Sequence, residues 1–185
     1  TGCEEEEVCG DGFVGGRLFL LQPVRGYRAV VEPVLLAAAV PAQPGEAVLE
    51  LGCGAGQALL CLAARVPGLI LAGVELQPPY VDLARKNAAA NGQGIEVFGA
   101  DLATLPAALK QRQFHHVIAN PPYYKAGAHS RARDAGRQVA LGEETPLADW
   151  NCTAARRLAP NGYLHMNQRA DRLPDMQAAC RGRLG

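Results

Sequence analysis

Three observations predict an α/β chain built as a doubly wound, mostly parallel sheet. Strand-like and helix-like segments alternate from residue 47 onward, a glycine-rich turn joins the first of those strands to a helix, and an Asn-Pro-Pro run ends a later strand. With 185 residues and 49% apolar composition, the chain can bury one full core, so one domain is expected.

Residues 1–16 are acidic and Gly-rich without periodicity, which predicts a mobile tail ahead of a single domain over residues 17–185. Residues 18–23 form a short strand-like run closed by Pro23. Pro33 suits the first turn of a helix, and residues 34–40 are apolar all round, so that helix should be buried. The alternating pattern then begins with a strand over residues 47–51, a glycine turn, and an apolar helix over 57–66 that Pro67-Gly68 breaks. A strand over 69–75 follows. Pro78-Pro79 opens a helix with Tyr80, Leu83, Ala84 and Ala88 on one face, ending at Asn91-Gly92. A short strand over 95–98 ends near Asp101, a weaker helix spans 102–110, and a strand over 114–119 precedes the two prolines. Residues 124–145 are polar, Arg-rich and aperiodic, the pattern of a functional loop. Beyond Pro146, the residues Leu147, Trp150, Ala154 and Leu158 share a helical face. Pro160-Asn161-Gly162 is a turn into a strand over 163–166, and a helix over 171–180 closes the pattern.

The formal net charge is zero, yet residues 1–101 carry −6 and residues 102–185 carry +6. Such asymmetry hints at a face for a polyanion, and Lys125, Arg131, Arg133 and Arg137 cluster in the long loop. The six cysteines form no C-x-x-C pair and read as reduced thiols of a cytoplasmic protein. No apolar run approaches the ~20 residues of a membrane helix. Glu4 to Glu7 are the opposite of a basic signal start, so no membrane association is expected. His129 and His165 have no partners at metal-ligand spacing, which predicts no metal, and of His115 and His116 one should be buried and one exposed.

Glu50-Leu51-Gly52-Cys53-Gly54-Ala55-Gly56 places three glycines at alternate positions between strand and helix, where a ligand can approach the backbone. Glu75 lies 19 residues beyond Gly56 at the next strand's end, the place for an acid that accepts hydrogen bonds from ribose hydroxyls. Asp101 ends the strand after that. A dinucleotide and an adenosyl sulfonium both fit this frame. Asn120-Pro121-Pro122-Tyr123 stands on the same edge, because no strand continues through two prolines.

With that tetrad the chain resembles the class I S-adenosylmethionine-dependent methyltransferases that methylate amino groups, a Rossmann-like family with an Asn/Asp/Ser-Pro-Pro-aromatic signature. Within it, residues 17–180 are similar to bacterial tRNA1(Val) (adenine37-N(6))-methyltransferases. The similarity is carried by Gln22-Pro23-Val24-Arg25-Gly26-Tyr27-Arg28, by Pro33-Val34-Leu35-Leu36-Ala37 and by the doubled aromatic Tyr123-Tyr124, with Glu32 standing where family members usually carry Asp. The resemblance implies S-adenosyl-L-methionine as cofactor, with Glu50, Gly52, Gly54 and Gly56 on its methionine side, Glu75 at the ribose, Asp101 and Leu102 at the adenine, and Asn120 adjoining it. It implies Asn120, Pro121 and Tyr123 as catalytic residues, and RNA, tRNA above all, as partner. Tyr27, Arg28, Pro122, Tyr124, Lys125, Arg131 and Arg133 are then expected at the substrate.

The chemistry behind the tetrad stands without the family. A purine's exocyclic amine is a poor nucleophile because its lone pair is delocalised into the ring. If the Asn120 side-chain oxygen and the Pro121 carbonyl each accept one of its hydrogens, the lone pair is aimed at a methyl sulfonium without any strong base. Tyr123 would stack on a base turned out of its RNA. A glutamine side chain poses the same problem, so a protein glutamine methyltransferase of the release-factor type is an alternative, and a silent cofactor- or RNA-binding module is another. The family's sheet ends with two further strands, which predicts that strands 6 and 7 are missing and that the chain is truncated.

Overall fold

A computed structural model of the chain describes residues 8–24, 31–121, 124–125, 142–143, 146–182 and 184. Its central sheet has five parallel strands in the order β5-β4-β3-β6-β9: β3 Ala47–Leu51, β4 Ile70–Glu75, β5 Ile95–Gly99, β6 Phe114–Ala119 and β9 Leu158–Met166. Val48, Leu49, Leu51, Val117, Ile118 and Ala119 are buried on both faces, the pattern of a parallel sheet covered on each side.

The alternation of side chains sorts that sheet into two cores. Val48, Leu71, Val97 and Ile118 meet α1 (Glu32–Ala39), α2 (Gln57–Arg65) and α3 (Pro78–Ala90) on one face. Leu49, Leu51, Ala72, Val74, Phe114, Val117 and Ala119 meet α4 (Ala107–Lys110) and α5 (Leu147–Arg157) on the other. The last helix, α6, spans Leu173–Cys180. Each fully buried leucine contributes about 1.5–3 kcal/mol, so Leu49, Leu51, Leu59, Leu60 and Leu62, all wholly buried, anchor the β3–α2 unit that carries the glycine turn. Two prolines open α3 where their missing N–H groups have no helical partner, and Asn91 caps it. Among the described residues no helix is long and apolar enough to cross a membrane.

The α/β, Rossmann-like, doubly wound class stands, with four differences of detail. Residues 8–16 are not a tail. β1 (Val8–Phe13) pairs antiparallel with β2 (Leu18–Pro23), from Val8 opposite Pro23 to Phe13 opposite Leu18, and residues 1–7 lie outside the described residues. The expectation that strands 6 and 7 are missing is corrected. Counted along the chain, β6 stands in the central sheet, and β7 (Tyr124–Lys125) follows it and pairs in parallel with β8 (Gly142–Glu143). A two-residue strand made by backbone pairing has no apolar run to reveal it. The helix expected over 102–110 splits at Leu105-Pro106 into a 3-10 turn, Leu102–Thr104, and the short α4. Finally, β9 starts at Leu158 rather than Tyr163. The Pro160 to Gly162 turn sits inside the strand, where the register shifts between Phe114/Leu158 and His116/Tyr163 and Asn161 takes φ 63.

Candidate functional site

The chain lays down β3, β4 and β5 outward to one side and then returns to place β6 and β9 on the other. The strand order therefore reverses between β3 and β6, which leaves a crevice beyond their carboxyl ends. Leu51 and Ala119 are register partners, so Gly52 and Asn120 leave adjacent strands at the same level, with backbones about 5 Å apart. Asn120 is half-buried and Pro121 is buried. The backbone N–H of Asn167 donates to the Ala119 carbonyl at 3.0 Å, which ties the end of β6 to the chain leaving β9.

Gly52, Gly54 and Gly56 take φ values of +65, +52 and +85, a left-handed region that disfavours any side chain. A Cβ on Gly52 would lie 2.6 Å from Cη2 of Trp150, so the indole on α5 seals the loop from below. A Cβ on Gly54 would meet nothing nearer than the Gln57 Oε1 at 3.9 Å, which makes Gly54 the point where a ligand can reach the backbone. Cys53 donates its N–H to the Val74 carbonyl at 2.9 Å, and the Gly54 N–H donates to Oε2 of Glu75 at the same distance.

Glu75 is 7% exposed, and its second oxygen accepts the Gln77 N–H at 2.8 Å. Burial pushes this carboxyl above its ordinary value, opposed by the N–H groups of Gln77, Gly54 and Leu76. Glu50 is 4% exposed, and its Oε2 has no partner. Burial raises its carboxyl well above the ordinary range; the Leu59 N–H opposes this and the Glu75 charge adds to it. Burial also raises the Cys53 thiol well above its usual value and the Cys61 thiol to about 11, with Glu50 contributing at both, so neither supplies a thiolate at neutral pH. Asp101 is exposed at the same sheet edge and caps the turn after β5 by accepting the Ala103 N–H at 2.8 Å. Leu102 packs partly against the second core, and its carbonyl accepts the Thr153 hydroxyl at 3.1 Å.

The structure thus brings Glu50, Gly52, Gly54, Gly56, Glu75, Asp101, Leu102, Asn120 and Pro121 to one sheet edge. Arg25, Tyr27, Arg28, Pro122, Tyr123, Arg131, Arg133 and Arg137 lie outside the described residues, and Tyr124 and Lys125 are described only as the backbone of β7. Several partners of the loop escaped the sequence reading. Trp150 fell on an apolar helical face without announcing that it covers Gly52. Asn87 did give a signal, a carboxamide on the face of α3 that Tyr80, Leu83, Ala84 and Ala88 share. Leu76, 49% exposed, offers apolar surface beside the Glu75 carboxylate. At the far end of β3, His116 is buried and His115 exposed, as expected. His116 bridges Oε2 of Glu46 at 3.1 Å and Nε2 of His165 at 3.0 Å.

A family model described as the methyltransferase small domain matches residues 33–141. A relative from Porphyromonas gingivalis, named tRNA1(Val) (adenine(37)-N6)-methyltransferase, is 33% identical over 159 residues, covering 81% of this chain and 62% of its own length. One of the same name from Yersinia enterocolitica is 31% identical over 148 residues, 77% of this chain and 58% of its own. A solved structure from Agrobacterium tumefaciens, described as a predicted O-methyltransferase, is 28% identical with a TM-score of 0.62, over 80% of this chain and 66% of that one. The chain therefore spans about 60% of the length of these curated relatives.

Proposed function

The chain belongs to the methyltransferase small domain family, and on that premise we propose that it methylates the exocyclic N6 amine of adenine in RNA, with tRNA as the substrate and S-adenosyl-L-methionine as the donor. The observation that carries this reading is the register of β3 against β6, which sets Asn120-Pro121 beside the glycine loop at one sheet edge. The open space at Gly54, the buried oxygen of Glu50 and the Glu75 carboxylate at the end of β4 suit an adenosyl ligand that carries a cationic amino acid.

The cofactor supplies a methyl group on a sulfonium. This chain's residues hold it and aim the amine. Gly52, Gly54 and Gly56 let the backbone approach, Glu75 accepts from the ribose, and Asp101 and Leu102 flank the adenine. The Asn120 carboxamide oxygen and the Pro121 carbonyl would accept the two amine hydrogens and so aim the nitrogen lone pair at the methyl group that the cofactor would supply. The surplus proton leaves to water. Pro122 and Tyr123 hold the base, while Tyr27, Arg28, Tyr124, Lys125, Arg131 and Arg133 meet the RNA around it. Choosing tRNA over other RNA rests on the names of the curated relatives. A cytoplasmic location follows from that substrate.

The test is methyl transfer from labelled cofactor to total tRNA, total rRNA and release factor, followed by nuclease digestion. Label recovered as N6-methyladenosine from tRNA is expected. Label in protein alone would sink the RNA reading in favour of a glutamine methyltransferase.

A further inference from the structure

Three left-handed glycines make a loop with more backbone freedom than any other sequence would give it, so its folded shape depends on ties from outside. β4 supplies two of them, the Val74 carbonyl and the Glu75 carboxylate. The third comes from α3. Asn87 is 0% exposed, and its Nδ2 donates to the Ala55 carbonyl at 2.9 Å and to the Leu21 carbonyl at 3.0 Å, while its Oδ1 accepts the Leu21 N–H at 2.7 Å. One carboxamide therefore holds both the glycine loop and the edge of β2. One turn later Asn91 repeats half of this device, accepting the Phe19 N–H at 2.9 Å and donating to the Phe19 carbonyl at 2.7 Å, and among the described residues it makes no hydrogen bond to the loop. Two asparagines at i and i+4 thus stand in for a partner strand along β2, whose other edge pairs with β1. Ala55, Tyr80 and Leu83 form a small separate core against which Val8 and Leu21 of the hairpin pack, and Gln57 Nε2 donates to Gln22 Oε1 at 3.4 Å between two buried side chains.

We propose that Asn87 is a positioning residue of the cofactor site: by fixing the Ala55 carbonyl it sets the loop's shape, and by holding Leu21 it links that shape to the order of the N-terminal hairpin. This rests on the reading that residues 52–56 cradle the cofactor. Linkage is reciprocal, so a ligand that orders the loop must also order the hairpin.

The experiment is amide hydrogen exchange on the full chain with and without S-adenosylhomocysteine, paired with calorimetric titration of variants. Ligand should slow exchange of the Leu21 amide, which Asn87 joins to the loop, by more than about five-fold. In Asn87→Ala the dissociation constant should rise about ten-fold, and in Asn91→Ala it should stay within about two-fold, each measured where the variant is fully folded. Asn87→Ser, with a shorter side chain and one remaining donor, should fall between and serves if the alanine variant does not fold. Equal changes in the Asn87 and Asn91 variants, or an unaltered Leu21 amide, overturn the proposal. If neither Asn87 variant folds, the Leu21 amide of the wild-type chain decides. A protein that binds no S-adenosylhomocysteine overturns the cofactor reading and this inference together, whereas binding indifferent to Asn87 overturns the inference alone.

Discussion

Replacing the three glycines one at a time by alanine should separate stability from binding. Each stands at positive φ, where an alanine costs about 1–2 kcal/mol in backbone strain. At Gly56 that is nearly all, since the new Cβ makes an ordinary 3.5 Å contact with the Ala84 Cβ. At Gly52 the Cβ would sit 2.6 Å from Cη2 of Trp150, and relieving such overlap adds about 1–3 kcal/mol, for a total of about 2–5 kcal/mol. At Gly54 nothing lies within 3.9 Å, so the stability loss should stay at about 1–2 kcal/mol. On the proposed function, the methyl group there instead enters the space that would take the cofactor. Urea unfolding should rank Gly52→Ala as the least stable by a clear margin. Calorimetry with S-adenosylhomocysteine should find Gly54→Ala weakened at least about ten-fold, or 1.4 kcal/mol, beyond any loss in Gly56→Ala. Trp150→Leu added to Gly52→Ala should recover the overlap share, which a double-mutant cycle reads directly. Wild-type affinity in Gly54→Ala, or equal stability losses at Gly52 and Gly56, would refute the reasoning.

Two pH effects follow from the buried groups. The Glu50 carboxyl is raised by burial, so the native state holds its proton more tightly than the unfolded chain does. Its stabilisation is complete below the usual carboxyl range and is lost as pH rises through the folded value. Glu50→Gln should therefore flatten the fall of the urea midpoint as pH rises above the ordinary carboxyl value of 4.5, and an unchanged slope would count against it. His165 is lowered from 6.5, first by burial and then by the charge on His116. The unfolded chain then binds the extra proton, so this group's contribution is present above the usual value and lost as pH falls through the lower folded one. His165→Gln should flatten the acid limb of the same curve below about pH 6.5, and a limb as steep as the wild type's would argue against that assignment.

How much of this was legible in the sequence depends on the kind of signal. The five central strands and the helices between them were readable because buried parallel strands are short apolar runs and Pro or Gly bounds each helix. The glycine loop, Glu75, Asp101 and Asn120 were readable because their residue types are unusual at strand ends. What stayed hidden was made by backbone pairing or by single side chains reaching across the fold. The hairpin strand β1 carries Gly10 and Gly12 and no apolar alternation; it is held by β2 and, through β2, by Asn87. The reading of Glu75 as a ribose acceptor missed its bonds to Gly54 and Gln77, because a ligand contact and a loop tie ask for the same carboxylate. Trp150 and Gly52 are far apart in the chain, and only the packing of α5 beneath β3 joins them.

The proposed function turns on Asn120 holding the amine rather than the cofactor. It is tested most directly by measuring, in one preparation of Asn120→Ala, the affinity for S-adenosylhomocysteine and the rate of labelled methyl transfer to tRNA. Affinity within about two-fold of wild type, with transfer reduced at least about 10²–10³-fold, is the expected result, since one preorganised hydrogen-bonding partner is worth about 3–4 kcal/mol in such a transition state. Transfer at a near-normal rate, or a loss of affinity that accounts for the loss of transfer, would contradict it.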